Sequence, residues 1–474
     1  MGQTFKKILQ SQMRVFIIKY NKRNKKMKKC FIIGICLWAF ALPLHAEMDP
    51  FSVYSAQTPQ GCLDKQIGTS PLELTDLIQI GICNNPSLNR QYMAVKIAEG
   101  DVGQVKSGYL PSVTATAGAD KDYGKVQKGN SVKDDPFSAN VALKWLLYDF
   151  GGRSAKTDRT KAYLDSAEFS YNSALQNLVF SVSQAYYNVL GAKAVLVSSK
   201  TAEESYKKSY DETKRRYELG LVSASDKLLA QTSYENSKLA VIQAENAVKT
   251  GTGNLAQLLN LPPDTEFDLA KPKPKSERLD LEVDKPVSEL IEIALSGRPD
   301  LRADKSSLEA AQFNEDVVLA EALPSVSIGA GAGYRDNWRT SNPYQYSTNV
   351  GLSLSVPLFT GFSDTYKISK AKYQTRQAQA TVADTEDTIK NEVWTAYQDY
   401  QTAVSSHKIS LTVLESAKEN QKVAFAMYKV GKGSILNLLT AESQLANSRK
   451  ESIVSFYSVL TQKAKLYRAI GRYH

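Results

Sequence analysis

Side chains able to do chemistry are few and scattered along this chain. Of its three histidines, His45 lies in an N-terminal apolar run and His474 is the last residue, which leaves His407 in the body. His407 falls on a seam of helical 3- and 4-residue spacing, where a packed histidine is the ordinary reading rather than a ligand. Past residue 46 only two cysteines remain, Cys62 and Cys83. The glycine pairs sit in strands or turns with no Walker or Rossmann context, so nucleotide binding has no support. Carboxylates scattered along the helices read as solvated faces and i,i+4 pairs. These residues form no catalytic constellation and no metal site, and they imply no cofactor. The chain reads as a protein that is not an enzyme.

Composition and charge narrow the class further. The 474 residues carry a formal net charge of +10, but ten of the 59 Lys and Arg fall in residues 1–46, which hold no Asp or Glu. The rest is balanced, 49 basic against 49 acidic residues, so nothing calls for nucleic acid. Residues 1–46 read as a secretory signal. Lys28-Lys29 precede an apolar run from Cys30 to Leu44, Ala46 offers a cleavage site, and Met27 is the expected true start. Export permits a disulfide, and an even cysteine count favours a Cys62–Cys83 bridge over two buried thiols.

The elements that must position any site come in duplicate. LPSVTATAGAD from Leu110 returns as LPSVSIGAGAGY from Leu323, an offset of 213. NNPSL at Asn84 returns as GRPDL at Gly297, FSANVALKWLLYDFGG as YSTNVGLSLSVPLFTGF, and YELGLVSASDKLLAQ at Tyr217 as YKVGKGSILNLLTAE at Tyr428. An offset held over nearly the whole exported chain marks an internal duplication. The expected organisation is a signal peptide at 1–46, an extended arm at 47–70, a first repeat at 71–260, a linker at 261–285 and a second repeat at 286–474. Each repeat reads helix, strand, strand, long helix, turn, helix.

Four strands are expected, at about 112–120, 137–147, 325–334 and 344–356, with a polar loop between the first two. Each alternates apolar with small or polar residues, the period-2 signature of one greasy face. The long helix, from about Arg153 to Leu219, would span on the order of 100 Å. Val182, Ala185, Val189, Ala192 and Leu196 form its seam; Val393, Ala396, Tyr400 and His407, with Leu411 and Leu414 beyond, form the seam of its copy. Gly220 and Gly431 interrupt the helices where glycine can take the left-handed conformation that reverses a chain.

Strands of nine to eleven residues with an apolar and a Gly/Ser-rich face have the pattern of a membrane β-barrel. Trp145, Tyr344 and Tyr346 lie near strand ends, where an aromatic girdle belongs. A soluble sheet gives the same alternation, but here the small-residue face would have almost nothing to pack. Four strands cannot close a barrel and lipid tolerates no open edge, so several chains must contribute. The duplicated plan, NPSL and RPDL, the two Leu-Pro strand starts, LYDFGGR at Leu147 and the YxxGxxS turns together resemble the TolC-like outer membrane efflux proteins, from about residue 70 to the C-terminus.

That resemblance implies an α+β membrane protein: a homotrimer whose twelve strands form one transmembrane barrel in outer-membrane lipid, continued by a coiled-coil helical tunnel in the periplasm. It implies an exit duct of a Gram-negative outer membrane, serving type I secretion of proteins or efflux of small molecules. The implied partners are a periplasmic adaptor protein and an inner-membrane transporter, ABC-type or proton-driven. Residues Gly220, Leu221, Val222 and Ser223, with Gly431, Lys432, Gly433 and Ser434, would be the tip turns that dock the adaptor. Asp226 matches a position where family members narrow the tunnel mouth with acidic residues, and Tyr428, Asn437 and Thr440 complete the gate candidates. Asn437 and Thr440 hold positions that can be acidic, and Gly433 one that is often basic, which argues against a salt-bridged, strongly cation-binding gate. Asp226 has a second reading as a helix cap. The alternative for the whole chain is a structural coiled-coil envelope protein without channel activity. Sequence does not choose among toxin, drug and metal as cargo.

Overall fold

The structure, a computed structural model, describes residues 71–125, 131–134, 136–270, 285–337 and 344–472. The expected signal peptide, the arm at 47–70 and Cys62 lie outside the described residues. Everything below concerns the described residues of the unit Val53–His474.

The order of elements is that of a twice-used plan. The first copy runs α1 (Leu74–Asn84), α2 (Pro86–Ser107), β1 (Ser112–Ala119), β2 (Asp122–Lys125), β3 (Ser131–Asp134), β4 (Pro136–Tyr148), α3 (Gly152–Glu218) and α4 (Ala224–Leu258). The second runs α5 (Val287–Gly297), α6 (Pro299–Glu321), β5 (Ser325–Asn337), β6 (Tyr344–Ser355), α7 (Ser363–Lys429) and α8 (Ile435–Ala469). The fold is therefore a long helical body carrying a small sheet, as expected. Helices α3 and α7 are each 67 residues, about 100 Å at the α-helical rise.

The short helices lie end to end beside the long ones, and the repeated Asn-Pro and Arg-Pro motifs are the splices. Asn85 caps α2, its Oδ1 accepting from the backbone N–H of Ser87 and Leu88 at 2.9 and 3.1 Å. Its Nδ2 donates to the carbonyl of Leu258, the last residue of α4, at 3.0 Å. Arg298 stands at the equivalent cap of α6 and donates to the carbonyl of Ala469, the last residue of α8, at 3.3 Å. Orphan carbonyls at one helix end thus meet a donor at the start of the next. Pro86 and Pro299 take the first helical position, where the missing N–H costs nothing. Arg298 is buried, and it ion-pairs with Asp300 and Glu392.

The core has three centres. Leu77, Val182, Val189, Leu255 and Leu259 pack α1, α3 and α4 together, and the duplicated Leu290, Ile389, Val393, Ala396 and Leu466 do the same for α5, α7 and α8. A third cluster at the far helix ends joins Ala230, Tyr428, Ile435, Leu438 and Leu439. Helix α8 packs on both α7 and α3, and α6 likewise, so α3 and α7 are held by the same two neighbours. Elements α2 and α4 form one flank of this layer and α7 the other.

Three expectations change. The seam of α7 holds through Val393, Ala396 and Tyr400 but then runs through Ala403, Ser410 and Ala417; Leu411 is exposed. The cause is polar: Ser455 of α8 bonds both His407 Nδ1 at 3.0 Å and Ser410 Oγ at 2.8 Å, which fixes Ser410 inward. The polar loop after β1 is partly a ribbon, because β2 pairs with β3 in the register of the β1–β4 hairpin itself, Ala119 with Phe137 and Asp122 with Asp134. The start of the expected linker is packed: Phe267 and Leu269 are buried, and Leu72 bridges Leu269.

Candidate functional site

The four long strands form one antiparallel sheet in the order β1-β4-β5-β6. Its register sorts side chains into rows, since residues opposite one another share a face. One face is polar and small: Ser112, Lys144 and Gly329 lie in a row, then Thr114, Ala142, Gly331 and Asn349, then Thr116, Asn140, Gly333 and Ser347. The other face is apolar: Val113, Leu143, Ala330 and Val350 in one row, Trp145, Ile328 and Leu352 in the next. Val350 and Leu352 are 78% and 70% exposed, and they sit on a sheet with nothing over it. On the polar face a Cβ at Gly333 would come within 2.6 Å of Asn140 Oδ1 and 2.8 Å of Ser347 Oγ, so any larger residue would make those two side-chain ends shift.

The sheet is welded to the helices by the LYDFGGR stretch. After an irregularity at Leu146–Tyr148, Arg153 donates to the carbonyls of Leu146 and Leu147 at 2.7 and 2.9 Å. Asp149 accepts from the backbone N–H of Arg153 at 2.8 Å, capping α3. The Arg153 guanidinium lies 4.9 Å from the Tyr109 ring, and Trp145 Nε1 donates to the Tyr109 carbonyl at 2.9 Å. Strand β4 therefore has a fixed angle to both α2 and α3. Of the aromatics, Phe137, Tyr334 and Tyr346 lie on the apolar face, the Tyr334 ring in contact with each of the other two. The Tyr344 side chain lies outside what is described.

At the opposite end, the two tip turns are copies of one another. Gly220 and Gly431 have φ of +72° and +75°. Leu221 donates back to the Arg216 carbonyl at 2.8 Å and Lys432 to that of Met427 at 2.9 Å, the six-to-one bond of a Schellman ending. Ser223 and Ser434 then cap α4 and α8, accepting from the backbone N–H of Asp226 at 3.1 Å and of Asn437 at 3.2 Å. Asp226 returns the bond, its Oδ2 accepting from the Ser223 N–H at 3.1 Å, whereas Asn437 completes no such box. Leu219, Leu221 and Val430 are exposed, so each tip ends in apolar side chains. Gly433 is half-buried, its Cα against Met427 and Tyr428. Asn437 and Thr440 are exposed.

The matched family model is "Outer membrane efflux protein", and it covers residues 77–261 and 290–472. The chain belongs to that family. Among curated relatives, Protein CyaE of Bordetella pertussis is 28% identical over 404 residues, 84% of each chain. Outer membrane protein TolC of Escherichia coli is 24% identical over 413 residues, 84% of this chain and 82% of that one. In fold, the Campylobacter jejuni CmeC outer membrane channel aligns with a TM-score of 0.73 at 18% identity, across 84% of this chain and 85% of that one. This outer membrane efflux protein is an exit duct of a Gram-negative outer membrane, with most of its chain in the periplasm. Among the described residues no helix is long and apolar enough to cross a membrane, which says nothing of a β-barrel.

Of the gate candidates in this efflux protein, Tyr428 is buried and bonded to α3. The single proton of Thr213 Oγ1 goes to the Ser209 carbonyl at 2.7 Å, so Tyr428 OH is the donor to Thr213 Oγ1 at 2.8 Å. Arg216 stacks 4.7 Å from the same ring and donates to the Lys429 carbonyl at 2.7 Å. One turn further in, Glu442 of α8 is buried and its Oε1 accepts from Ser209 Oγ at 2.7 Å and Ser205 Oγ at 3.1 Å. Its Oε2 has no hydrogen-bond partner among the described residues, and burial pushes the carboxyl above its ordinary value despite the serine bonds. Sequence reasoning missed Thr213, Arg216 and Glu442. Only Glu442 left a signal, as an acid in the apolar stripe Leu438, Glu442, Leu445.

Cys83 is disulfide-bonded; its expected partner, Cys62, lies outside the described residues. His407 is packed against Phe456 and Ser455, and burial lowers its pKa. No group of three or more metal-type ligands occurs among the described residues.

Proposed function

We propose that three copies of this chain close one twelve-stranded barrel and one helical tunnel, through which proteins or small molecules leave the periplasm. The observation that carries the reading is the sheet itself. It has an apolar exposed face, a small polar face, and two strands, β1 and β6, with no partner on their outer side. Unpaired strand edges are not tolerated in lipid, so the edge of one copy must meet the edge of the next. The helical layer has the same need. On one flank Leu228, Leu239 and Ile242 of α4 are exposed, and on the other Trp394, Ile409 and Val423 of α7. Fractionation tests this: the protein should pellet with the outer membrane and open stepwise conductances in planar bilayers. A soluble periplasmic monomer would point to a structural coiled-coil protein instead.

In this reading the tip turns at Gly220–Ser223 and Gly431–Ser434 dock a periplasmic adaptor, which couples the duct to an inner-membrane transporter, ABC-type or proton-driven. Their exposed leucines and valine supply apolar contact, and their tight backbone leaves the tips compact. The gate is a clasp between hairpins: Tyr428, Thr213 and Arg216 hold α7 to α3, and opening must break them. Asp226 caps α4 and, three times repeated, places a ring of carboxylates at the mouth that attracts cations. Single-channel recordings of Asp226→Asn separate the two roles, since unchanged conductance and ion selectivity would leave only the cap.

A further inference from the structure

Glu442 ties α8 to α3 just behind the clasp. Its side chain is buried, and both of its hydrogen bonds are made by one oxygen, Oε1, with Ser205 and Ser209. The other oxygen is enclosed and meets no donor among the described residues. The charges around it offer no counter-ion. On α3, Glu212 is paired with Arg216, Lys207 and Lys208 are exposed, and the Tyr206 phenol is pushed up by burial and by Glu442. On α7, Glu419 and Lys422 pair with each other in solvent, and Lys418 is half-buried a turn away. On α4, Glu235 pairs with Lys238, and Lys227 lies 5.1 Å from the Tyr217 ring. On α8 itself the next charge is Arg449, seven residues on and about 10 Å along the axis. A carboxylate formed at Glu442 is therefore buried with one oxygen unsolvated, a cost that the protonated form avoids.

This contact and the clasp share one face of α3. Ser209, which donates to Glu442, accepts at its carbonyl from Thr213 Oγ1, and Thr213 in turn accepts from Tyr428 OH. Helices α7 and α8 pack on each other and are joined by the Gly431 turn, so a hairpin that leaves Ser209 also leaves Thr213. We propose that Glu442 is a proton-operated latch on the mouth of the duct. With the carboxyl protonated, the α7–α8 hairpin stays docked on α3 and the clasp stays made. When the proton leaves for solvent, the parted hairpin is favoured, because it admits water to both oxygens. The latch rests on the trimeric duct and the clasp proposed above. Its sign follows from burial, which holds the carboxyl above its ordinary value while the hairpin is docked. Parting returns it towards about 4.3, so the docked form binds more protons in between and rising pH opens the mouth.

Planar-bilayer recording of the purified full-length trimer is the test, with open probability and single-channel conductance read separately. Wild-type open probability should rise about tenfold between about pH 4.5 and about pH 8. Glu442→Gln keeps an acceptor for both serines but has no proton to lose, and its open probability should stay low and flat. Ser205→Ala/Ser209→Ala removes the bonds that favour the anion, so its rise should come at higher pH than that of wild type. Titration of Asp226 is told apart by its readout, since a ring of carboxylates acts on the conductance of a mouth already open. A wild-type open probability that ignores pH, a Gln variant that rises as wild type does, or a serine variant with an unmoved rise would each overturn the latch and leave the duct standing. Wild-type protein that opens no channel at any pH would overturn the duct on which the latch rests.

Discussion

At Glu442, desolvation disfavours the charged carboxylate, and two serine hydroxyls from α3 recover only part of the loss because both bond one oxygen. The folded carboxyl therefore keeps its proton to a higher pH than the unfolded one, whose value is about 4.3. Between those two values the folded state binds more protons, so stability falls as pH rises through the window and levels off above it. Glu442→Gln keeps an acceptor for both serines and removes the charge. It should raise the thermal midpoint at pH 7.5, corresponding to about 1 kcal/mol, with the gap closing towards pH 4. A variant less stable than wild type at pH 7.5 would show that the anion is instead required. The signal for such a residue is faint in sequence, because an acid in an apolar stripe looks the same whether it is buried or turned out. Thr213 and Arg216 carry no signal at all, since their roles depend on which helix α7 meets.

At the scale of elements, the tip turns depend on two glycines with positive φ, and any other residue there costs about 1 kcal/mol in backbone strain. Gly220→Asp and Gly431→Asp should leave the assembled trimer intact and abolish transport, because they place a charge within the apolar tips. Undiminished transport by both, measured as cargo outside the cell, would remove the tips from docking. The strands make a different demand. In the proposed barrel Val113 and Val326 lie on the apolar rows near its tunnel end, where a charge costs up to about 1 kcal/mol, three times over in a trimer. Val113→Asp or Val326→Asp should therefore lower the yield of heat-sensitive trimer on gels of outer membranes; undiminished assembly would place these valines away from lipid. Much of this was legible beforehand. Leu-Pro marks both strand starts because proline cannot continue a helix, and the period-2 rows follow from Val113 to Ala119 and from Val326 onwards. The YxxGxxS turns were legible because a left-handed glycine followed by a capping serine is a local device. What escaped was non-local. Ser410 replaces Leu411 on the seam only because Ser455 of α8 is there to meet it, and β2 and β3 pair only because β1 and β4 bring them into register. The end-to-end splice of Asn85 on Leu258 spans 173 positions, although the repeat of Asn-Pro as Arg-Pro showed that something recurs there.

In the trimer proposed above, the whole molecule is a third of an object. Duplication supplies two strands and a long helix twice, so one chain presents a four-stranded sheet and a layer of helices. Each layer is satisfied in its middle and unsatisfied at its flanks: among the described residues β1 and β6 are each paired on one side only, and α4 and α7 turn leucine, isoleucine and tryptophan outward. Symmetric repetition solves both problems with one operation, since every flank then meets its complement and no edge remains. In the proposed closure, the face carrying Ser112, Thr114, Asn140 and Lys144 lines the lumen. Counting the chains in the detergent-extracted native complex by mass spectrometry is the most direct test. The account predicts a single species of three chains that falls to one chain on heating. A complex of any other number, or a stable lone chain, would contradict it.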